Sequence, residues 1–398
     1  MSLTYLSPED HQKRISILTS NLEFRNIDTI LVFNSRNIFY LTGYSFIPTE
    51  RPLILIIHKG DVYFFAPRLE VNHIEYQVPF VSEIYPYFDY PGERHPLKIF
   101  KEVFTETFHI NPSKIISEYQ GSPGYWGYKG ASLSEIFRVN IAVESDIITD
   151  MRVVKEEKEI KLIKESCKWA GVAHKYLQDY TQVDKNEHDV SIKASHQASI
   201  DMKKHLGDNY KPIGWTMFPA IADYRGQIGK YSAFPHAQTQ GFKFRKGENL
   251  VTGASANIYG YYSELERTMF VGEPNPKQKK LFNAMLEMQS IALASVKPGI
   301  RCAEVDKAVF KLARKEGVTK LLNHHSGHSI GLEAHERPFL DTGDGTILQE
   351  GMVFTCEPGL YDLKLGGFRH SDTFVVTDSG SELLTQYPRE LEELTIPT

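Results

Sequence analysis

The segment "LNHHSGHSIGLEAHERP", residues 322–338, contains four histidines within twelve positions, separated by glycine and serine. Its glycines disfavour a regular helix, so we expect a loop and a short strand to present the imidazoles. One isolated histidine is usually a packed residue with a backbone hydrogen bond, whereas this clustering indicates a site. His324, His328 and His335 are therefore candidate site residues.

Two other segments supply carboxylates. In "GYYSELERT", residues 260–268, Glu264 and Glu266 share one face of a predicted strand, because side chains alternate along a strand. In "VFTCEPGLY", residues 353–361, Glu357 ends an apolar run, where an unpaired buried charge would be costly. A solvated edge strand and a structural ion pair are the alternatives. Three carboxylates and three imidazoles in these segments nevertheless favour a chemical role.

A further histidine stands apart from that cluster. His236 follows a proline in the apolar segment "YSAFPHAQT", residues 231–239. Taken alone, it is more typical of a packed histidine than of a catalytic one.

Composition limits the class of protein. The chain has 398 residues, of which 41% are hydrophobic and 24% charged, as in a globular protein of about two domains. A net charge of −5 argues against a nucleic-acid partner. No run approaches the roughly 18 apolar residues of a membrane helix, and residues 1–30 do not resemble a signal peptide. The three cysteines lack the spacing of a disulfide framework or zinc ribbon, so we expect a cytoplasmic protein.

The pattern of predicted helices and strands changes near residue 150. Before that point, a helical pattern at residues 8–26 precedes short β-branched and aromatic runs, which predict an α/β domain. After it, helical patterns lead into a β-rich tail that carries the candidate site. The predicted strands of the first part are "TILVFN" (29–34), "NIFYLTG" (37–43), "PLILIIHKG" (52–60) and "DVYFFAP" (61–67).

Taken together, these motifs carry a family resemblance. The histidine segment, "EPG", "GYYSELERT" and the closing "RHSD" with "VVTDSG" resemble the pita-bread superfamily of creatinases, Xaa-Pro dipeptidases (prolidases), Xaa-Pro aminopeptidases and methionine aminopeptidases. The resemblance covers the chain. It implies an α/β creatinase-type N-terminal domain over residues 1–150, an α+β pita-bread catalytic domain over residues 151–398, and a homodimer.

The resemblance also implies where metal ligands should lie. The metallopeptidases of the superfamily hold two metal ions with two aspartates, one histidine and two glutamates. On this chain the histidine falls on His328, the first glutamate on Glu357 and the second aspartate on Glu264. The first aspartate falls on Gly253 and the bridging glutamate on Ser371. Because a dinuclear site depends on bridging carboxylates, the resemblance implies a degenerate metal site.

Creatinase works without metal, and this chain matches its pattern at other positions. The strand motif "YYxxLERT" places a catalytic-site carboxylate at Glu266, and the general-base histidine, thirty residues earlier, falls on His236. An arginine that reaches the partner subunit's site in that family falls on Arg51, in "ERP". Thr49 stands where creatinase has an aromatic residue, so creatine itself is not the expected substrate.

The interpretation we favour from sequence is hydrolysis of a C–N bond in a small, polar, zwitterionic substrate, with no metal or other cofactor. Mutual repulsion of carboxylates would be relieved by a cationic group of the substrate, and an imidazole would move the proton. The expected catalytic residues are His236 as general base, Glu266 and Glu357 as binders of the cationic group, and His328 and His335. The expected substrate-binding residues are Arg51, Glu264 and His324.

Two alternatives remain at this point. The first is a Xaa-Pro dipeptidase or aminopeptidase with a reduced, mononuclear site. Three carboxylates and an imidazole suffice to bind one Mn, Zn or Co ion; the ligands would be Glu264, Glu266, His328 and Glu357. The second is a catalytically inactive pita-bread binding module. The expected partners are a small-molecule or dipeptide substrate and a second copy of the chain, without nucleic acid or membrane.

Overall fold

The computed structural model describes residues 5–108, 111–123, 125–211, 213 and 218–398. These residues form two units, Tyr5–Arg152 and Val153–Thr398.

The N-terminal unit is built on a mixed six-stranded sheet with the strand order β4-β3-β2-β1-β5-β6. Strand β1 is antiparallel to β2 and parallel to β5, and β3 is antiparallel to β2 and parallel to β4. The strands are β1 (Thr29–Val32), β2 (Ile54–His58), β3 (Asp61–Pro67), β4 (Glu83–Tyr87), β5 (Ile115–Ser117) and β6 (Ala142–Val143). The helices are α1 (Pro8–Phe24), α2 (Ser35–Thr42), α3 (Val71–Gln77), α4 (Pro96–Phe108), α5 (Leu133–Phe137) and α6 (Ile147–Met151).

One predicted strand of this unit is wrong. The run "NIFYLTG" lies in helix α2 and its C-cap, although its β-branched and aromatic content is typical of a strand. Asn34 caps the helix by accepting hydrogen bonds from the backbone N–H groups of Arg36 and Asn37. Gly43 ends it in the left-handed conformation at φ 74°. The two caps and burial of the helix therefore outweigh the local strand propensity.

The C-terminal unit, Val153–Thr398, begins with two long helices, and its described residues form two more. Helix α7 starts with a capping box of Glu156 and Glu159, and α9 starts with Asn275 as N-cap and a proline in its first turn. These are the sequence signals that make both helices predictable. The four helices are α7 (Glu157–Tyr180), α8 (Glu187–Leu206), α9 (Pro276–Ser295) and α10 (Cys302–Lys315).

The candidate site lies on the antiparallel sheets of this unit. Among the described residues, the largest sheet has nine strands, with β10-β9-β11-β18-β15-β13-β14 in order, β7 beside β9 and β19 beside β18. Strand β12 pairs with β8 and β20, and β16 pairs with β17. The strands up to β13 are β7 (Ala220–Asp223), β8 (Asn249–Val251), β9 (Gly253–Ile258), β10 (Tyr261–Tyr262), β11 (Leu265–Glu266), β12 (Thr268–Val271) and β13 (His328–Ser329). The remainder are β14 (Glu336–Phe339), β15 (Val353–Cys356), β16 (Gly359–Asp362), β17 (Gly366–Arg369), β18 (Ser371–Thr377), β19 (Gly380–Leu383) and β20 (Thr395–Ile396).

Among the described residues, no helix combines the length and the apolar composition that crossing a bilayer requires.

Candidate active site

The "GYYSELERT" segment presents two carboxylates on one side and an arginine on the other. Glu266 pairs with Ser371 across β11 and β18, and the backbone N–H of Glu264 donates to Thr373 Oγ1 at 3.0 Å. Arg267 is fully buried on the opposite side and bonds Asp372 at 2.8 Å. Carboxylate oxygens of Glu264 and Glu266 lie within 4.8 Å of one another, which confirms the predicted shared face, although Glu264 precedes strand β11.

The histidine segment forms a loop and a two-residue strand, as predicted. A side chain at Gly327 would meet the carbonyl oxygen of Thr355 at 2.1 Å, so only glycine allows this close approach. Asp306 on α10 anchors the loop by accepting hydrogen bonds from the backbone N–H groups of Ser326, at 3.1 Å, and Thr342, at 2.9 Å. A carboxylate from a helix thus orients the loop through charge-assisted hydrogen bonds.

His328 lies between two carboxylates. Its Nδ1 donates to the carbonyl oxygen of Ser329 at 3.0 Å, and its Nε2 lies 3.2 Å from Glu357 Oε1 and 3.7 Å from Glu264 Oε2. Neither carboxylate satisfies hydrogen-bond geometry, so within the described residues Nε2 is a buried polar atom without a partner. The neutral ring would direct a lone pair at two acceptors, an arrangement that calls for a proton or another cation.

The pKa values at this position reflect the same charges. Burial lowers the pKa of His328, but Glu357 and Glu264 outweigh burial and raise it to about 9. Burial and the charge of Glu357 raise the pKa of Glu264 to about 7. For Glu357, burial acts to raise the pKa, whereas His328 and Arg369 together bring it below its usual range. The two neighbouring carboxylates thus favour a proton on His328.

Glu266 is already paired with two cations of the chain. Arg369 donates to both of its oxygens, with Nη2 at 2.8 Å from Oε1, and Arg225 Nη2 donates to Oε1 as well. Glu266 is only 4% exposed. The carboxylate of Glu266 therefore already accepts hydrogen bonds from two guanidinium groups. In the metal-free interpretation, the same carboxylate would bind the cationic group of the substrate.

A hydrogen-bonded chain connects Glu266 to His324. Arg369 Nη1 donates to the Tyr361 hydroxyl at 2.9 Å, and that hydroxyl lies 2.7 Å from His324 Nε2. Nδ1 of His324 lies 2.8 Å from the carbonyl oxygen of His325. Because Arg369 uses the hydroxyl as an acceptor, Tyr361 donates its proton to His324. Burial also lowers the pKa of His324, which is consistent with a neutral ring.

The other two histidines lie nearer to solvent. His335 is exposed and stacks on His328, with ring centroids 3.7 Å apart and an interplanar angle of 19°. His236 is exposed, and its charge contributes to lowering the pKa of His335 after the larger effects of burial and of His328. The structure therefore brings His236, His328 and His335 into one electrostatic neighbourhood.

Arg51 belongs to the N-terminal unit. It donates hydrogen bonds to Asp89 and Glu50, each at 2.7 Å, and the bond to Asp89 is the largest cause of its raised pKa. It lines a cavity of about 220 Å³ with Phe46 and Leu53 among others. Its expected role in substrate binding stays a prediction.

Two of the positions at which the resemblance implies metal ligands have no carboxylate. Ser371 Oγ donates to Glu264 Oε1 at 2.7 Å, and Gly253 offers no side chain. Among the described residues, two groups have ligand atoms within 4.8 Å of one another, and both include Glu264. They are Glu264, His328 and His335, and Glu264, Glu266 and Glu357.

Arg225 and Tyr361 were not predicted from sequence as site residues. Tyr361 lies four positions after Glu357, and this even spacing in a strand-rich segment is a weak signal for a shared side. Arg225 lies in a turn, and no periodicity points to it. Its backbone has φ 48°, in the left-handed region that is costly for a residue other than glycine.

Comparison with known proteins places this geometry in a family. Residues 161–378 match the model of metallopeptidase family M24, and residues 14–115 match the creatinase/prolidase N-terminal domain. The chain is 30% identical over 384 residues to the Xaa-Pro dipeptidase of Pyrococcus horikoshii, covering 95% of this chain and 98% of that protein. It is 28% identical over 388 residues to the Xaa-Pro dipeptidase of Pyrococcus furiosus, covering 96% and 99%. A solved Xaa-Pro dipeptidase from Bacillus anthracis has a TM-score of 0.79 and 27% identity, covering 98% of this chain and 100% of that one.

The fold and these matches show that the protein is a C–N bond hydrolase of the creatinase/Xaa-Pro peptidase superfamily. It has a creatinase-type domain followed by a pita-bread domain. Within that superfamily, the chain belongs to metallopeptidase family M24.

Proposed function

We propose that the protein hydrolyses the peptide bond that precedes proline in dipeptides, with the help of one divalent metal ion. The unpartnered Nε2 of buried His328, between the carboxylates of Glu264 and Glu357, carries this proposal. Its ring is oriented by the carbonyl oxygen of Ser329, as metal-binding imidazoles usually are by a second hydrogen bond. A mixed set of imidazole and carboxylate donors suits Mn, Zn or Co.

The stoichiometry follows from the residues that the site lacks. Gly253 and Ser371 provide no carboxylate, and Glu266 is engaged by two guanidinium groups. Glu264, His328 and Glu357 would therefore hold a single ion. When bound, the ion would supply Lewis-acid polarisation of the scissile carbonyl group.

The remaining side chains have roles that do not depend on direct metal binding. The exposed imidazoles of His335 and His236 would contact the substrate and carry a proton from the attacking water to the leaving nitrogen. Tyr361 holds His324 through its hydroxyl, which in turn is held by Arg369. His324 would thus orient the substrate from a fixed position.

The relatives support a peptidase better than metal-independent hydrolysis of a guanidino compound, which the sequence pattern favoured. The chain aligns over nearly its full length with proteins named Xaa-Pro dipeptidase. The pairing of Glu266 with two arginines points the same way, because a substrate guanidinium would have to displace one of them.

The test combines metal content with substrate preference. The purified protein is incubated with Mn²⁺, Co²⁺ or Zn²⁺, freed of excess metal, and analysed by plasma mass spectrometry. We expect one ion per chain and hydrolysis of Ala-Pro but not of Pro-Ala. Replacing His328→Gln should remove the ion and lower kcat/KM by about a hundredfold or more, because the unpartnered ring nitrogen is lost.

The control is His188→Gln, which changes an exposed histidine on helix α8 and should leave both readouts unchanged. A wild-type chain that binds no ion, and that hydrolyses creatine or another guanidino compound but not Ala-Pro, would show that the proposal is wrong.

A further inference from the structure

The space in front of Gly253 is occupied by a guanidinium group. A Cβ atom built on Gly253 would lie 3.4 Å from Nε and from Nη2 of Arg225, and 3.5 Å from its Cζ. Gly253 does not adopt the left-handed conformation that favours glycine. The backbone would therefore accept a side chain here, and that side chain would meet Arg225 at contact distance.

Arg225 is held in place by its turn. The turn follows β7, whose last residue, Asp223, pairs with Gly253 of β9. Arg225 keeps a costly φ of 48°, and the next residue is Gly226, whose N–H donates to buried Glu187 at 2.8 Å. A residue is retained in such a conformation only when its surroundings determine it, and this is common at functional sites.

The hydrogen bonding of Arg225 leaves part of its capacity unused. Nη2 donates to Glu266, whereas Nε is buried without a hydrogen-bond partner in the described part of the chain. Nε lies 3.9 Å from the carboxylate of Asp223, beyond hydrogen-bond distance. A donor with no acceptor therefore faces the position where the metallopeptidases have a ligand carboxylate.

Charge leads to the same conclusion. Arg225 and Arg369 both pair with the carboxylate of Glu266, and Arg369 Nε also lies 3.9 Å from Glu357 Oε2. Positive charges repel a further cation at short range. An ion bound by Glu264 and Glu357 is compatible with this arrangement, whereas a second ion beside Gly253 would lie against a guanidinium group.

We propose that the Arg225 guanidinium takes the place of the second metal ion: it is a permanent cation that positions Glu266 and limits the site to one ion. The inference rests on the proposed one-metal peptidase and explains its stoichiometry. Arg225 is a positioning residue. Glycine at position 253 leaves room for its guanidinium group, because a side chain there would contact it.

The experiment measures Mn²⁺ stoichiometry by plasma mass spectrometry after gel filtration, and by calorimetric titration. The double variant Gly253→Asp, Ser371→Glu restores the two carboxylates and should bind the same number of ions as the wild type. Adding Arg225→Gly, which suits the positive φ, should raise that number by one. Adding Arg225→Lys instead keeps the positive charge and should not.

Two outcomes would overturn the inference: a double variant that gains an ion while Arg225 is intact, or a triple variant with Arg225→Gly that gains none. The triple variant gives a stoichiometry only if it folds. The single variant Arg225→Gly therefore provides a second, independent measurement. It removes one of the two cations that pair with Glu266 and should tighten Mn²⁺ binding by about tenfold, and unchanged affinity would contradict the inference. If the wild type binds no ion, only the proposed function is overturned. The role of Arg225 is still decided by whether the triple variant with Arg225→Gly binds one more ion than the double variant.

Discussion

Glu187 connects the two loops that border the candidate site, and its replacement gives the sharpest test of the structure. This carboxylate is 1% exposed. One oxygen accepts the backbone N–H groups of Gln240, Gly241 and Phe242 at 2.9–3.1 Å, and the other accepts that of Gly226 at 2.8 Å. One side chain thus holds the turn of Arg225 and the loop that follows His236.

Glu187→Gln preserves the shape but turns one acceptor into an amide donor. At least one backbone N–H then faces an N–H₂ group, and the remaining bonds lose the anionic charge. Hydrogen bonds to charged groups contribute about 1.5–3 kcal/mol each, and an unsatisfied buried donor costs about 1–3 kcal/mol. We therefore expect the two loops to be destabilised by about 3 kcal/mol, which is a hundredfold increase in local opening.

Hydrogen exchange followed by mass spectrometry measures the opening of these two loops directly. The measurement does not require that the two-domain chain unfold in a single two-state transition. Peptides covering residues 225–228 and 239–243 should exchange about a hundredfold faster in Glu187→Gln. The matched control is Glu304→Gln, in the first turn of α10, where an exposed carboxylate pairs with Lys307 at 2.8 Å. Such pairs contribute little, so its exchange should not change. Exchange in Glu187→Gln within threefold of the wild type would refute the reasoning.

Three further predictions concern other parts of the molecule. Tyr361→Phe removes the hydroxyl between His324 and Arg369 and should lower kcat/KM for Ala-Pro by about tenfold, the effect of one hydrogen bond; unchanged kinetics would exclude this role. Asp306→Ala removes the carboxylate that accepts hydrogen bonds from the Ser326 hydroxyl and from the backbone N–H groups of Ser326 and Thr342, and should lower the free energy of unfolding in urea by about 3 kcal/mol; a change below about 0.5 kcal/mol would contradict the assigned anchoring. Burial lowers the pKa of His11 to about 4, so the unfolded chain binds a proton at higher pH than the folded one, and stability is lost as pH falls below about 6.5. Between pH 7 and pH 5 the wild type should therefore lose about 2 kcal/mol more than His11→Gln in urea unfolding, and equal losses would show that His11 is not responsible.

Prediction from sequence succeeded where local periodicity carried the information. Alternation in "GYYSELERT" placed Glu264 and Glu266 on one side, and the glycines of the histidine segment indicated a loop and short strand. It failed at "NIFYLTG", where the caps and burial of helix α2 decided against the strand propensity of its residues.

The two arginine partners of Glu266 could not be predicted from sequence. Arg225 reaches Glu266 across 41 residues of sequence, and Arg369 reaches it across 103. No local pattern reports such pairings, because they depend on how β9, β11 and β17 are placed after folding. The metal-free interpretation treated Glu266 as open to a substrate cation for this reason.

The sequence by itself determined the superfamily and the order of a creatinase-type and a pita-bread domain, because these follow from motifs. It also predicted which carboxylates and imidazoles form the site. It also determined that Gly253 and Ser371 provide no carboxylate. Only the tertiary structure decided what fills the space at Gly253, which carboxylate is already neutralised by Arg225 and Arg369, and which ring nitrogen faces two acceptors without a partner. These are relations between distant side chains, and electrostatic energy depends on their distances in space rather than on their separation along the chain.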